Sequence, residues 1–136
     1  WDRRPLINAR AETLADKPTF RPLLGRRVLV PASGWWEWRD EAGAKLKYRL
    51  GREDGALFAL AGLSDGERFC IVTREAVPEL AHVHHRMPAV LDAAGEAAWI
   101  DPALPFAQAA HALSGAAARF AATSEVKPAA QSDLFG

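Results

Sequence analysis

The stretch from Arg26 to Thr73 is broken every few residues by glycine or aspartate, and this punctuation constrains the fold more than any other feature. Val28-Leu29-Val30 is an apolar run, and Pro31 with Gly34 marks a bend or an edge position within the strand candidate Arg26–Arg39. After Gly34, a two-residue period puts Trp35 and Glu37 on one face and Trp36 and Trp38 on the other. Asp40–Ala44, containing Gly43, reads as a hairpin turn into Lys45–Leu50. Gly51–Gly55 then turns the chain into Ala56–Leu63, and Ser64–Glu67 into Arg68–Thr73. Four strands joined by short turns predict an antiparallel meander.

Outside this stretch the pattern favours short helices. Trp1–Ile7 reads as a loop leading into an extended segment. Thr13 or Asp16 starts a short helix over Lys17–Leu24, with Pro18 in its first turn. One helical turn is expected at Glu75–Ala81. Asp92 is placed to N-cap a helix over Ala93–Ile100, and Pro105–Leu113 reads as another. Phe120–Val126 completes the strands, and Lys127–Gly136 reads as a tail. A length of 136 residues suits one domain over 1–136, of the α+β class and mainly antiparallel.

Composition excludes several classes. Hydrophobic residues make up 49% and charged residues 25%, the balance of a globular chain rather than a disordered one. No apolar run approaches the roughly 18 residues that a membrane helix needs, and no targeting signal opens the chain. A cytoplasmic or nucleoid-associated location, away from any membrane, is therefore expected. The single cysteine, Cys70, lies in the apolar run Phe69-Cys70-Ile71-Val72, which excludes a disulfide framework and a cysteine-built zinc site. Buried there, its thiol is a poor nucleophile. No cofactor motif is present, and Ser33 lacks the Gly-x-Ser-x-Gly frame of a nucleophile elbow.

The net charge is zero, but it is not evenly spread. Residues 1–52 hold 12 Lys/Arg and 6 Asp/Glu, whereas residues 53–136 hold 5 and 11. Trp1, Trp35, Trp36 and Trp38 lie in the basic half. Cations that track phosphates, interleaved with indole faces that stack on unpaired bases, are what a single-stranded nucleic-acid groove requires. An aromatic core with a solvated basic face accounts for the same composition. Arg3, Arg4, Arg10 and Arg86 are the candidate phosphate contacts. The chain starts at Trp1 and its only methionine is Met87, which predicts that it is either cut from a longer polypeptide or processed.

Individual residues suggest chemistry. Glu37, flanked by Trp36 and Trp38, is either a partly desolvated acid–base group with a raised pKa or a carboxylate on a wet strand face. His82-x-His84-His85 offers two ligands on one face but no third at a recognised spacing, so no metal site is expected. A histidine beside Arg86 serves either as a proton shuttle near an anionic substrate or as a hydrogen-bonded structural ring. Asn8 and Arg10 alternate, so an extended chain points both the same way, toward a sugar and a phosphate; a turn-forming asparagine explains them equally well.

Three blocks then occur in order. They are Trp1-Asp2-x-x-Pro5-Leu6-Ile7-Asn8-Ala9-Arg10-Ala11-Glu12-Thr13, Val30-Pro31-Ala32-Ser33-Gly34-Trp35-Trp36-Glu37-Trp38, and His84-His85-Arg86-Met87-Pro88-Ala89-Val90-Leu91. Together they resemble the SOS response-associated peptidase (SRAP) family of abasic-site processing proteins, over nearly the whole chain. The resemblance implies a barrel-like, mainly antiparallel sheet with peripheral short helices, acting as a monomer on abasic sites in single-stranded DNA. In that family an N-terminal cysteine condenses with the ring-opened abasic aldehyde to form a thiazolidine crosslink, and the first residue is removed autoproteolytically. That N-terminal portion is absent from these 136 residues.

Residue by residue, Asn8 is similar to the family's sugar-orienting asparagine and Arg10 to its phosphate-binding arginine. Glu37 is similar to the glutamate assisting ring opening and proton transfer, and His84 to the proton-shuttling histidine. Trp1, Trp38 and Arg86 match groove-lining positions, and Thr73 a threonine close to the site. Three alternatives have distinct signatures: an inert single-stranded DNA-binding paralogue, a Schiff-base lyase using an amine alone, and a metal-assisted hydrolase built on His82, His84 and His85.

Overall fold

The computed structural model describes residues 8–115 and 118–125. Its strands, in chain order, are β1 (Asn8–Arg10), β2 (Arg27–Ala32), β3 (Trp35–Glu41), β4 (Ala44–Arg52), β5 (Phe58–Ser64), β6 (Phe69–Glu75), β7 (Arg86–Pro88), β8 (Val90–Leu91) and β9 (Phe120–Ser124). Helices α1 (Ala93–Ile100) and α2 (Phe106–Ala109) lie between β8 and β9. The α+β class and the antiparallel bias are as expected, but among the described residues no barrel closes. The strands form two sheets: a central one ordered β1-β6-β5-β2, with β7 on β6 and β8 on β5, and a smaller one ordered β3-β4-β9.

The central sheet is covered on both faces, and the two-residue period sorts its side chains between two cores. Leu63 and Ala61 of β5, Cys70 and Val72 of β6, and Leu91 of β8 point to one core with Trp99, Leu113 and Leu14. Phe58 and Leu60 of β5 and Val90 of β8 point to the other, where they meet Leu50, Phe120 and Trp35 of the smaller sheet. A strand buried on both sides reads as a continuous apolar run, which is why Phe58-Ala59-Leu60-Ala61-Gly62-Leu63 carries no polar side chain. In the first core Trp99 is fully buried, and its indole N–H is shared between the carbonyls of Val28 (3.1 Å) and Gly62 (3.2 Å).

The predicted meander is corrected. One strand was expected over Arg26–Arg39, but the chain bends at Ser33-Gly34, so β2 stays in the central sheet while β3 starts the smaller one. A Cβ on Gly34 would lie 2.7 Å from the Leu50 carbonyl oxygen, so only glycine lets the bend pass this close to β4. The hairpin turn is a two-residue loop, Ala42 (φ 49°) and Gly43 (φ 82°), of the left-handed kind that matches strand twist. The turn expected from Gly51 begins later, because Gly51 and Arg52 still pair with Ala121 and Phe120 of β9.

Helix predictions were right where a cap decided them. Asp92 caps α1 at the expected residue, its carboxylate accepting from the Gly95 N–H at 2.6 Å. Arg27 closes the other end, donating to the carbonyls of Asp101 (2.7 Å) and Leu104 (2.9 Å). The helix expected over Lys17–Leu24 is instead two single 3-10 turns, Leu14–Asp16 and Arg21–Leu23, because Pro18 and Pro22 each remove an N–H. Pro105–Leu113 divides into α2 and a 3-10 turn at Ala110–Ser114. Among the described residues no helix is long and apolar enough to cross a membrane.

Candidate functional site

Two groups of side chains meet where β1, β6 and β7 lie next to one another. β1 runs parallel to β6 with Arg10 opposite Thr73, and β7 runs antiparallel with Pro88 opposite the same Thr73. This register gathers residues far apart in sequence. Arg86 donates to both oxygens of the Glu12 carboxylate, at 2.9 and 2.8 Å, and to the Thr73 hydroxyl at 3.2 Å. Arg10 adds a longer ion pair to Glu12, at 3.9 Å. The Arg86 side chain is only 14% exposed, and its buried Nε has no partner among the described residues. A buried N–H without an acceptor costs about 1–3 kcal/mol, so this donor is set to gain from an incoming acceptor. Arg10, Glu12, Glu75, His85 and Arg86 line an open groove of about 320 Å³ beside it.

The second group is built on β3 and on the turn before β7. Along β3 burial alternates as predicted: Trp35 and Glu37 face inward, while Trp36 and Trp38 are exposed. Trp35 packs edge-on against Phe58 and Phe120, each with ring centroids at 6.0 Å, anchoring that face of the strand in the second core. Two residues on, Glu37 is half-buried, and loss of solvent pushes its carboxyl above the ordinary carboxylate range. Charge on the nearby His84 and His85 rings pulls it partly back.

The histidines arrive on a turn shifted two residues from the predicted one. Val77, Leu80 and Val83 plunge into the second core, and the Leu80 carbonyl accepts from the His84 N–H at 3.3 Å. The backbone N–H of Arg86 then donates to His84 Nδ1 at 3.1 Å, and the Arg86 carbonyl oxygen lies 3.2 Å from the same nitrogen. His85 stacks on His84 at 4.6 Å between centroids. This short bond joins the two groups: the residue that receives it bears on Glu37, and the residue that gives it holds Glu12 and Thr73.

The structure thus brings Glu37 to His84, and Arg10, Thr73 and Arg86 to one another. Asn8 and Arg10 are both exposed with Ala9 buried between them, so they share a face as alternation predicted. Trp38 lies on the face of β3 opposite Glu37. Trp1, Arg3 and Arg4 lie outside the described residues. His82 is exposed, and no group of three metal-ligating side chains forms among the described residues. Cys70 is buried and its thiol is pushed up by burial, as expected. Sequence reasoning missed Glu12, whose carboxyl the Arg86 hydrogen bonds hold below its usual range. Its signal was an isolated acid two residues beyond Arg10, a spacing that gains meaning only from the parallel pairing with β6.

Comparison with known proteins identifies the family of the chain. The family described as SOS response associated peptidase (SRAP) matches residues 2–131. The chain belongs to the SRAP family. It is 37% identical over 108 residues to the abasic site processing protein YoaM of Bacillus subtilis, covering 71% of this chain and 48% of that protein. It is 36% identical over 109 residues to the abasic site processing protein YedK of Escherichia coli, covering 74% and 49%. The chain spans about half the length of these curated relatives. Among solved structures, a protein from Bacteroides thetaiotaomicron superposes with a TM-score of 0.74 at 32% identity, covering 86% of this chain and 57% of that one. A phage-related protein from Bordetella bronchiseptica gives 0.72 at 32%, covering 90% and 64%. SRAP membership and the mainly antiparallel α+β class therefore agree with the sequence resemblance, while the barrel-like closure it implied does not appear among the described residues.

Proposed function

We propose that this chain is part of a single SRAP domain that binds abasic sites in single-stranded DNA. The observation that carries the reading is the pairing of a desolvated Glu37 with His84 and His85, next to a guanidinium cluster. A carboxyl whose pKa desolvation raises holds its proton more readily and can both take and give one, which opening of a deoxyribose ring to its aldehyde requires. Arg10 and Arg86 supply charge for the flanking phosphates, and Asn8 an amide for the sugar. Relatives named for abasic site processing point the same way.

The polypeptide that carries the family's N-terminal cysteine forms, on this reading, a thiazolidine crosslink. The α-amine adds to the aldehyde and expels water to give a Schiff base. The thiol then adds across the C=N bond and closes a five-membered ring, so the net reaction loses one water. Glu37 and His84 carry the protons for these steps. The autopeptidase activity expected of the family belongs to the same N-terminal residue.

The test is incubation of the full-length polypeptide with a single-stranded oligonucleotide bearing one abasic site. A complex that survives denaturing electrophoresis is expected. Binding that salt dissociates, with no such complex, would leave only the inert DNA-binding paralogue, since Cys70 is too buried to stand in. An adduct that forms only under borohydride, together with strand cleavage, would favour the amine-only lyase.

A further inference from the structure

The proposed site uses the inner face of β3, and on the outer face, beside the Trp38 that the family resemblance makes a groove-lining position, stand Trp36, Lys47 and Arg49, which the abasic-site chemistry does not need. Trp36 is 47% exposed and Trp38 56%. Across the hairpin, Trp36 pairs with Arg49 and Trp38 with Lys47, so two indoles and two cations share one outward patch. The Lys47 ammonium lies over the Trp36 ring at 4.2 Å and near the Trp38 ring at 5.8 Å. Arg49 is held by the Ser33 hydroxyl at 3.2 Å. Lys45 extends the row, opposite Asp40, and Glu125 reaches Lys47 at 4.0 Å. Leaving two adjacent indoles in water is unfavourable, and a contiguous exposed apolar patch marks a binding surface.

From this face we infer that Trp36, Lys47 and Arg49 form a stacking platform that holds nucleotides flanking the lesion, extending the single-stranded track beyond the Glu37 site. The inference rests on the function proposed above. Indole faces take any base, and interleaved cations take the phosphates between, which is how sequence-independent single-strand grooves work. Trp36 and Trp38 stand about 7 Å apart along the strand, so bases on both lie on a path parallel to β3. β3 is also the edge strand of its sheet. A DNA strand on the outer face can therefore turn round that edge to reach Glu37, with no neighbouring strand of the same sheet in between among the described residues. Charge favours this occupant: among the described residues the cations Lys45, Lys47 and Arg49 of this face outnumber its acids Asp40 and Glu125.

The experiment measures equilibrium binding of the full-length polypeptide by fluorescence anisotropy. The probes are labelled oligothymidylates with a central tetrahydrofuran, an abasic analogue that cannot crosslink, at about 6 and about 20 nucleotides. Trp36→Ala is expected to weaken binding of the longer probe about tenfold relative to the shorter one, with Trp36→Phe restoring most of the loss. Lys47→Ala is expected to lower the salt slope for the longer probe by about 0.7. If wild type binds both probes and Trp36→Ala holds the longer one equally well, the platform is overturned and the abasic-site reading stands. If wild type binds neither probe, both fall together. Restoration by Trp36→Phe separates lost stacking from a misfolded hairpin.

Discussion

The two faces of β3 have nearly the same composition and opposite fates. Inward, Trp35 sits between Phe58 and Phe120, and Glu37 loses solvent beside two histidines. Outward, Trp36 and Trp38 stay in water around Lys47. Four consecutive residues thus produce a core anchor, a desolvated carboxyl and an exposed aromatic patch, and only the pleat distinguishes them. An indole on the inner face stabilises the fold; an indole on the outer face serves binding on the proposal made above.

The largest effect that separates the faces should come from Glu37→Gln. In a denaturing-gel assay of the full-length polypeptide, the crosslinking rate should fall about 10²–10⁴-fold, the span of a lost general acid–base. The same change should raise the melting temperature at neutral pH. A carboxyl whose folded pKa is raised contributes its stability below the unfolded value, near 4.3, and loses it as pH climbs through the raised one. The stabilisation by Gln should therefore shrink toward zero as pH is lowered to about 4. A constant difference across that window would mean that Glu37 is not desolvated.

Next comes Trp35→Ala, expected to cost about 3 kcal/mol or more in urea denaturation because it opens the second core. Trp36→Ala should stay within about 0.5 kcal/mol of wild type. Equal costs for the two tryptophans would erase the contrast between the faces. Gly34→Ala should cost about 1–3 kcal/mol, since its methyl meets backbone rather than a movable side chain. A small effect is also expected from Glu12→Gln. Its carboxylate is 49% exposed, so loss of the Arg86 pair should cost below about 1 kcal/mol, and that loss should disappear at acidic pH, where Glu12 is protonated in any case. Thermal melts at neutral and acidic pH check both halves of that statement.

How much of this was legible in the sequence differs from one element to the next. The β3 alternation, the Asp92 cap and the burial of Cys70 were all readable, because each depends on residues one to three positions apart. The meander was not. Local turn signals announce that a strand ends, but they carry no information on which sheet the next strand joins. That choice was made at Gly34, where the approach of Leu50 from across the hairpin leaves no room for a side chain. The turn before His84 was displaced for a similar reason, as Val77, Leu80 and Val83 follow the second core rather than their own propensities.

The sequence by itself determined which side chains take part: the indoles, Glu37, the histidines and the arginines, with their alternation along β3. Tertiary structure alone decided who meets whom. The parallel pairing of β1 with β6 set Arg10 opposite Thr73, and β7 on the other edge of β6 brought Arg86 onto Glu12, 74 residues away. Pairing across such distances depends on strand register and on two cores filling together, and no short stretch of sequence encodes either one.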